Sequence, residues 1–187
     1  MDDELVVRAR EGDEAAFALL ANRIAPRLHG VAYRILRDVG LAEDAVQQTL
    51  LRSWQDLAHL RDPARFDAWS YRILVRTCYA QAKQARRRLD EIPLSDVEPG
   101  APGNEYSSVI DRDALERGFV RLPVEQRTVV VLHHYLGLPV SQVAEMVDAP
   151  LETVRSRLRR ALAALRSALE ADDRTTIDER LQTKVPA

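Results

Sequence analysis

The sequence predicts an all-α protein: two small helical domains joined by a flexible linker, the second containing a helix-turn-helix. Three observations carry this expectation. First, glycine is scarce (7 residues) and aromatics make up only 5% of the 187 residues, while Leu, Ala and Arg recur at spacings of three and four, which is the period of a helix face. Second, residues 89–107 (LDEIPLSDVEPGAPGNEYS) gather three prolines, two glycines and several acids, the composition of a linker rather than of a packed element. Third, SQVAEMVDAPLETVRSRLRRALAALR, residues 141–166, has the spacing of two helices joined by a tight turn.

The elements follow in order. Asp2 or Asp3 can cap a short first helix with Leu5 and Val6 on its apolar side, and Gly12 breaks it. Asp13 opens a second helix through Phe17, Leu20 and Ile24. Pro26 is expected to kink or restart it, because proline lacks the N–H and clashes with the preceding turn. Leu28, Val31, Ala32, Ile35 and Leu36 continue the stripe to Gly40, which is expected to end the unit. A helix from about Leu41 to Asp56 aligns Ala45, Val46, Thr49, Leu50, Ser53 and Trp54. Residues 58–65 are expected to be a loop. A helix from about Phe66 to Arg88 carries Trp69, Ile73, Leu74 and Cys78 as core candidates. This first module spans residues 1–88.

The 89–107 segment would span roughly 25 Å as a flexible chain. The second module, residues 108–170, begins with a helix over about Val109 to Val120. Leu122-Pro123 opens another to Leu136, and Gly137 stops it. Ser141 is expected to cap a short helix, Gln142 to Val147, and a long helix runs from about Leu151 to Glu170. The polar tail, residues 171–187, is expected to be frayed, with one weak helical turn around Ile177 to Leu181.

Composition excludes several classes. Hydrophobic residues (46%) and charged residues (30%) balance as in a soluble protein. No apolar run approaches the ~18 residues of a membrane span. The N-terminal stretch MDDELVVRAREGDE is acidic and amphipathic, unlike a signal peptide. A single cysteine, Cys78, forms no intrachain disulfide and no Cys-based zinc site, which fits a reducing, cytoplasmic setting. His29, His59, His133 and His134 are scattered, and the paired Glu-x-x-His motifs of a di-metal bundle are missing. There is no P-loop, glycine-rich fingerprint or nucleophile elbow. No catalytic residue, metal site or cofactor is expected.

The net charge of −2 hides a strong asymmetry. Lys83, Arg86, Arg87 and Arg88 form one basic cluster. Arg155, Arg157, Arg159, Arg160 and Arg166 form another, against Glu152 alone. Between them Asp90, Glu91, Asp96, Glu98, Glu105, Asp111, Asp113 and Glu116 oppose only Arg112. Two candidate phosphate-binding surfaces are thus separated by an acidic bridge.

Three stretches carry function. In residues 141–166 Ala144 is small enough for close helix approach, and Asp148 tolerates the left-handed turn geometry where glycine is commoner. Val154, Leu158, Ala161, Leu162 and Leu165 form an apolar stripe. Thr153, Arg155, Ser156, Arg157, Arg159 and Arg160 are left on the other faces of the N-terminal half, the part of a recognition helix that enters the major groove. In residues 66–88 the aromatics Phe66, Trp69 and Tyr71 alternate with bases, a pattern suited to stacking on unpaired bases while cations track the backbone; Phe66 and Trp69 read equally well as core residues. In residues 40–54 Asp44, Gln47, Gln48 and Leu51 fall on an exposed surface beside the core stripe. A helix-turn-helix regulator with an N-terminal dimerisation or sensing module is the alternative reading, and the second nucleic-acid surface at 66–88 argues against it.

In this order the three stretches resemble the bacterial sigma factors of RNA polymerase, in the short extracytoplasmic-function (group IV) class. AEDAVQQTLLRSW is similar to the family's polymerase-binding helix, FDAWSYRILVRT to its promoter-melting and −10-recognition helix, and LPVEQRTVVVLHHYLGLPVSQVAEMVDAPLETVRSRLRRAL to its −35-binding domain. The resemblance covers about Asp13 to Leu169 and implies a non-enzymatic transcription initiation factor. By resemblance Asp44, Gln47, Gln48 and Leu51 bind polymerase. Arg61, Arg65, Phe66, Trp69, Arg72, Arg76, Thr77 and Lys83 take the −10 element, and Thr153, Arg155, Ser156, Arg157, Arg159 and Arg160 the −35 element. The implied partners are RNA polymerase core enzyme and promoter DNA, with an anti-sigma factor as a further candidate and no membrane insertion. The chain departs from the family at Thr77, where Asn is frequent after Arg, at Ala80, where an Asp is frequent, and at Glu152, where Gly is common.

An acidic, proline-rich bridge should be extended, letting the modules reach promoter elements roughly 60 Å apart, about two turns of duplex. Replacing the eight acids by Ser or Gln is expected to tighten non-specific DNA binding by the free protein and to weaken promoter-directed initiation. A salt titration of binding beside a run-off assay checks this, and unchanged values in both would reduce the bridge to a passive tether.

Overall fold

The structure is a computed structural model that describes residues 3–91 and 109–182. The bridge from residue 92 to 108, where most of the expected linker falls, lies outside the described residues, as do the last five positions of the tail. Helices α1 (Asp3–Arg10), α2 (Glu14–Leu36), α3 (Val39–Asp56) and α4 (Phe66–Glu91) form the first unit. Helices α5 (Val109–Arg121), α6 (Val124–Val130), α7 (Val140–Val147) and α8 (Leu151–Gln182) form the second. No strand occurs among the described residues.

In the first unit α2 is the central post. Leu20, Ile24, Leu28, Val31 and Ile35 are all at most 1% exposed, on one face at spacings of four and three. Burying each such side chain is worth about 1.5–3 kcal/mol relative to exposure. Asp13 caps the helix by accepting from the Ala16 N–H at 3.0 Å. That bond, and then the Arg8 guanidinium, hold its carboxyl below the ordinary value. Pro26 does not restart the helix, which runs unbroken through it. Pro26 and Asn22 are both exposed, so the carbonyl that loses its partner four residues back faces water.

The first unit turns corners at places the sequence reading set differently. Arg37, not Gly40, ends α2: it adopts a left-handed conformation at φ 60° and donates its N–H to the Tyr33 carbonyl at 2.7 Å. Asp38 then caps α3 by accepting from the Leu41 N–H at 2.8 Å, and Gly40 lies inside the first turn of that helix. The expected loop at 58–65 contains two single 3-10 turns, Leu57–His59 and Pro63–Arg65, the second capped by Asp62.

In the second unit α6 continues into a π-helical turn, Val131–Tyr135, which Gly137 ends at φ +70°. α7 starts at Val140 behind Pro139, so Ser141 lies within the helix rather than capping it. α8 does not stop at Glu170 but continues to Gln182, so the expected frayed tail is helical up to that point. Val154, Leu158, Ala161 and Leu165 are buried as the stripe required, whereas Leu162 is exposed.

The two units are in contact. Val131 of the second unit belongs to the buried cluster built around α2, and Val75 of α4 belongs to the cluster formed by Val129, Leu132, Val143, Met146 and Val154. No local pattern of residues signals this docking.

Gly118 lets α5 and α8 approach closely. A Cβ there would lie 2.8 Å from the Ala168 Cβ and 3.4 Å from the Leu165 Cδ2. Gly118→Val is therefore expected to destabilise the protein by about 1–3 kcal/mol through overpacking, read as a lower urea midpoint with unchanged slope. A wild-type midpoint would refute this account of the α5–α8 packing.

Candidate nucleic-acid and polymerase interfaces

The helix-turn-helix is built by three positions. Ala144 is buried on α7. Asp148 takes the left-handed conformation at φ 52°, ψ 52°, and its N–H returns to the Ala144 carbonyl. A non-glycine residue in this region costs of order 1 kcal/mol, and a short polar side chain tolerates it best. Val154, fully buried, seats α8 beneath α7. With that face fixed, Arg155, Arg159 and Arg160 are exposed and Thr153, Ser156 and Arg157 are half-buried on the remaining surface of the first turns. Glu152, which stands where the family commonly has Gly, is paired with Arg155 one turn on. Its charge is thereby partly neutralised, and Arg159 beside it completes a shallow hollow with Leu158.

On α4 and the turn before it, Arg65, Trp69, Arg72, Arg76, Ala80, Lys83 and Arg87 recur at intervals of four and three. All are exposed except Trp69, which is half-buried. This is a continuous basic stripe with one aromatic ring near its start. Trp69 packs against Phe66, ring centroids 6.1 Å apart. Arg61 is also exposed, in the turn ahead of the helix. Two residues expected at the −10 contact lie elsewhere. Phe66 is 1% exposed in the core of the first unit. Thr77 is fully buried and donates its hydroxyl to the Ile73 carbonyl at 3.0 Å. Both stand on the core side of α4, about 100° round the helix from the stripe residues Arg65 and Arg76 that precede them.

On α3 the side chains of Asp44, Gln47, Gln48 and Leu51 are all exposed, Leu51 at 56%. They stand opposite Ala42, Ala45, Val46 and Thr49, which face the core. The sequence reading missed their neighbours. Phe17 and Trp54 stack at 4.9 Å. With Glu14, Leu50 and Leu51 they line an open, mostly apolar groove between the start of α2 and the end of α3. Helical spacing aligns Leu50 and Trp54 with the core stripe, and the structure leaves both half-buried at its edge. The available signal was that aromatics at the ends of two adjacent helices lie where the core thins.

Other chemistry is sparse. Among the described residues no three His, Cys, Asp or Glu side chains gather as a metal site. The rings of His133 and His134 lie 4.6 Å apart, and His133 Nδ1 is held at 2.8 Å from the Leu138 carbonyl, closing the π-helical turn. Cys78 is fully buried on α4, and burial pushes its thiol up to about 12.

Comparison with known proteins agrees with this geometry. The family described as Sigma-70 region 2 matches residues 20–88, and Sigma-70, region 4 matches residues 112–165. The RNA polymerase sigma-H factor of Pseudomonas aeruginosa is 30% identical over 186 residues, covering 90% of this chain and 94% of that protein. The ECF RNA polymerase sigma factor SigM of Mycobacterium tuberculosis is 34% identical over 164 residues, covering 88% and 82%. Among solved structures, CnrH in complex with the cytosolic domain of CnrY matches with a TM-score of 0.62 at 25% identity, over 91% of this chain and 98% of that one. The sigma factor RpoE of Bartonella quintana, in complex with the anti-sigma factor NepR, shares the fold at a TM-score of 0.62 and 24% identity, over 83% and 98%. The chain belongs to the sigma-70 family of RNA polymerase sigma factors, in its extracytoplasmic-function class.

The burial of Cys78 yields a direct check. At pH 8 its thiol is expected to resist alkylation by iodoacetamide by orders of magnitude relative to an exposed cysteine, and to react fully once the chain is unfolded in guanidinium. Rapid labelling of the folded protein would show that the α4 core is open.

Proposed function

We propose that this chain acts in the cytoplasm, without catalysing any reaction of its own, as the subunit that brings RNA polymerase core to a promoter and opens the DNA there. The observation that carries the reading is the presence of two exposed basic surfaces of different construction in one chain. The α4 stripe, Arg65, Trp69, Arg72, Arg76 and Lys83 with Arg61 ahead of it, pairs cations with an aromatic ring, as single-stranded DNA requires. Phe66 and Thr77 support it from the core. The α8 surface, Thr153, Arg155, Ser156, Arg157, Arg159 and Arg160, offers guanidiniums and hydroxyls from the start of a recognition helix, as a major groove requires. Unstacking a base costs a few kcal/mol, which binding of the extruded strand along α4 offsets.

Asp44, Gln47, Gln48 and Leu51 are the proposed polymerase contacts, and the Phe17–Trp54 groove adds apolar surface beside them. No helix among the described residues is long and apolar enough to cross a membrane. An anti-sigma factor remains in the proposed partner set alongside core enzyme and promoter DNA.

Asp44→Lys combined with Gln47→Lys is expected to abolish co-purification with core polymerase while leaving helicity by circular dichroism unchanged. Replacing Arg155, Arg157, Arg159 and Arg160 together by Ala is expected to remove −35 binding while core binding persists. Single changes should lose about 1–3 kcal/mol where the arginine reads a base, and should weaken all sequences alike where it holds a phosphate. Normal core binding by the first variant or normal −35 binding by the second would sink the corresponding assignment.

A further inference from the structure

The helix-turn-helix hangs on α6 through an unusual joint. Residues Val131–Tyr135 form a π-helical turn, and the Leu136 N–H reaches back five residues to the Val131 carbonyl at 3.1 Å. The chain then reverses at Gly137, and the Leu138 N–H donates to the Leu132 carbonyl at 3.1 Å. Single π-helical turns are rare, and where they occur they often mark functional sites. Leu138 is held a second time, by its other polar group. His133 Nδ1 lies 2.8 Å from the Leu138 carbonyl. A carbonyl oxygen has no proton to give, so Nδ1 carries the hydrogen and donates it. The His134 ring meets the His133 ring edge-on, centroids 4.6 Å apart, and flanks the donating imidazole. Pro139 follows without an N–H of its own. Its carbonyl accepts the first bond of α7, from the Val143 N–H at 3.0 Å. The imidazole thus grips the chain two residues before α7 begins.

We propose that His133 is a positioning residue for −35 recognition: by holding the Leu138 carbonyl it sets the angle at which α7, and with it α8, leaves α6. The proposal rests on the reading of α8 as the −35-binding helix. His133 is half-buried and lies outside the proposed DNA and polymerase contacts, so it acts through the helices and not on the DNA. The path is short. Val129 of α6 and Leu132 of the π-helical turn share one buried cluster with Val143, Ala144 and Met146 of α7 and with Val154 and Leu158 of α8. Apolar burial is non-directional. It keeps the three helices together and leaves the pivot of α7 about residues 137–139 to be fixed by other means. A hydrogen bond is directional, and the His133 bond restrains that pivot. The demand for restraint comes from the other end of the path. Arg155 and Arg159 project from the first turns of α8, and a guanidinium reads a base edge only within hydrogen-bond reach and in the right plane.

His133→Leu keeps the bulk of the side chain and removes the donor, His133→Ala removes both, and His133→Asn places an amide N–H where Nδ1 stands. The full chain bound to core polymerase is first used to recover transcribed promoters from a library with randomised upstream sequence. Run-off from a recovered promoter is then compared with run-off from the same promoter with its −35 element scrambled, at a temperature where circular dichroism shows the variants folded. His133→Leu and His133→Ala are expected to lower the intact-to-scrambled ratio about two- to ten-fold, the scale of one net hydrogen bond. Co-purification with core and run-off from the scrambled template should stay as in the wild type. His133→Asn is expected to keep the wild-type ratio. A purely structural role would lower the melting temperature and leave the ratio unmoved. A wild-type ratio in the folded Leu or Ala variant, or an equal loss in His133→Asn, would overturn the positioning role alone. Equal run-off from intact and scrambled templates by the wild-type holoenzyme would overturn the −35 reading of α8 and the proposal with it.

Discussion

Everything in this molecule depends on how one helix divides its circumference. α4 must bury Phe66, Leu74, Thr77 and Cys78 in the first unit, because that apolar burial holds it against α2 and α3. Once this face is fixed, the 3.6-residue period leaves two arcs. One carries Arg65, Arg72, Arg76, Lys83 and Arg87 into solvent; the other carries Tyr71, Val75 and Tyr79 to the second unit. A shift of one residue in the packing of α4 would bury guanidiniums without partners, at a cost far above what the apolar contacts return. The basic stripe is thus a consequence of the core.

The second unit solves a related problem with smaller parts. Its α6 and α7 are only seven and eight residues long, so each close approach counts. Gly118 lets α5 lie against α8, Ala144 lets α7 do the same, and Asp148 accepts a strained backbone to turn the chain between them. These positions hold the first turns of α8 at a fixed angle, which is what a recognition helix needs if its arginines are to meet a groove rather than only a cloud of phosphate. The Glu152–Arg155 pair fits the same logic, since an acid at the tip of the helix is acceptable when an adjacent cation screens it.

The two units also show how little apolar surface is needed to dock modules when the rim is charged. The buried centre of the contact is a few valines and leucines, and at its rim Arg34 stacks on the Tyr135 ring while Arg37 stands 5.9 Å from the centre of the Phe119 ring. The Arg37–Glu116 pair at this boundary joins a largely buried guanidinium to a carboxylate that is half in water, so salt screens it only in part.

Much of the fold was legible in the sequence for a simple reason. Helical periodicity is a local property, so the stripes of α2, α3 and α8, the cap at Asp13 and the turn at Asp148 could be read from spacing alone. The same holds for the exposure of Asp44, Gln47, Gln48 and Leu51 and for the arginines of α8, because each is fixed by the face its own helix buries. Other features were decided only by tertiary structure. Phe66 and Thr77 look like members of the −10 surface until the packing of α4 puts them inside. Phe17, Leu50 and Trp54 look like core until the bundle ends beside them. Arg37 looks like one more surface cation until Phe119 and Glu116, about 80 residues away along the chain, close over it. Periodicity states which residues share a face; which neighbour that face meets depends on non-local packing, and no local pattern encodes it.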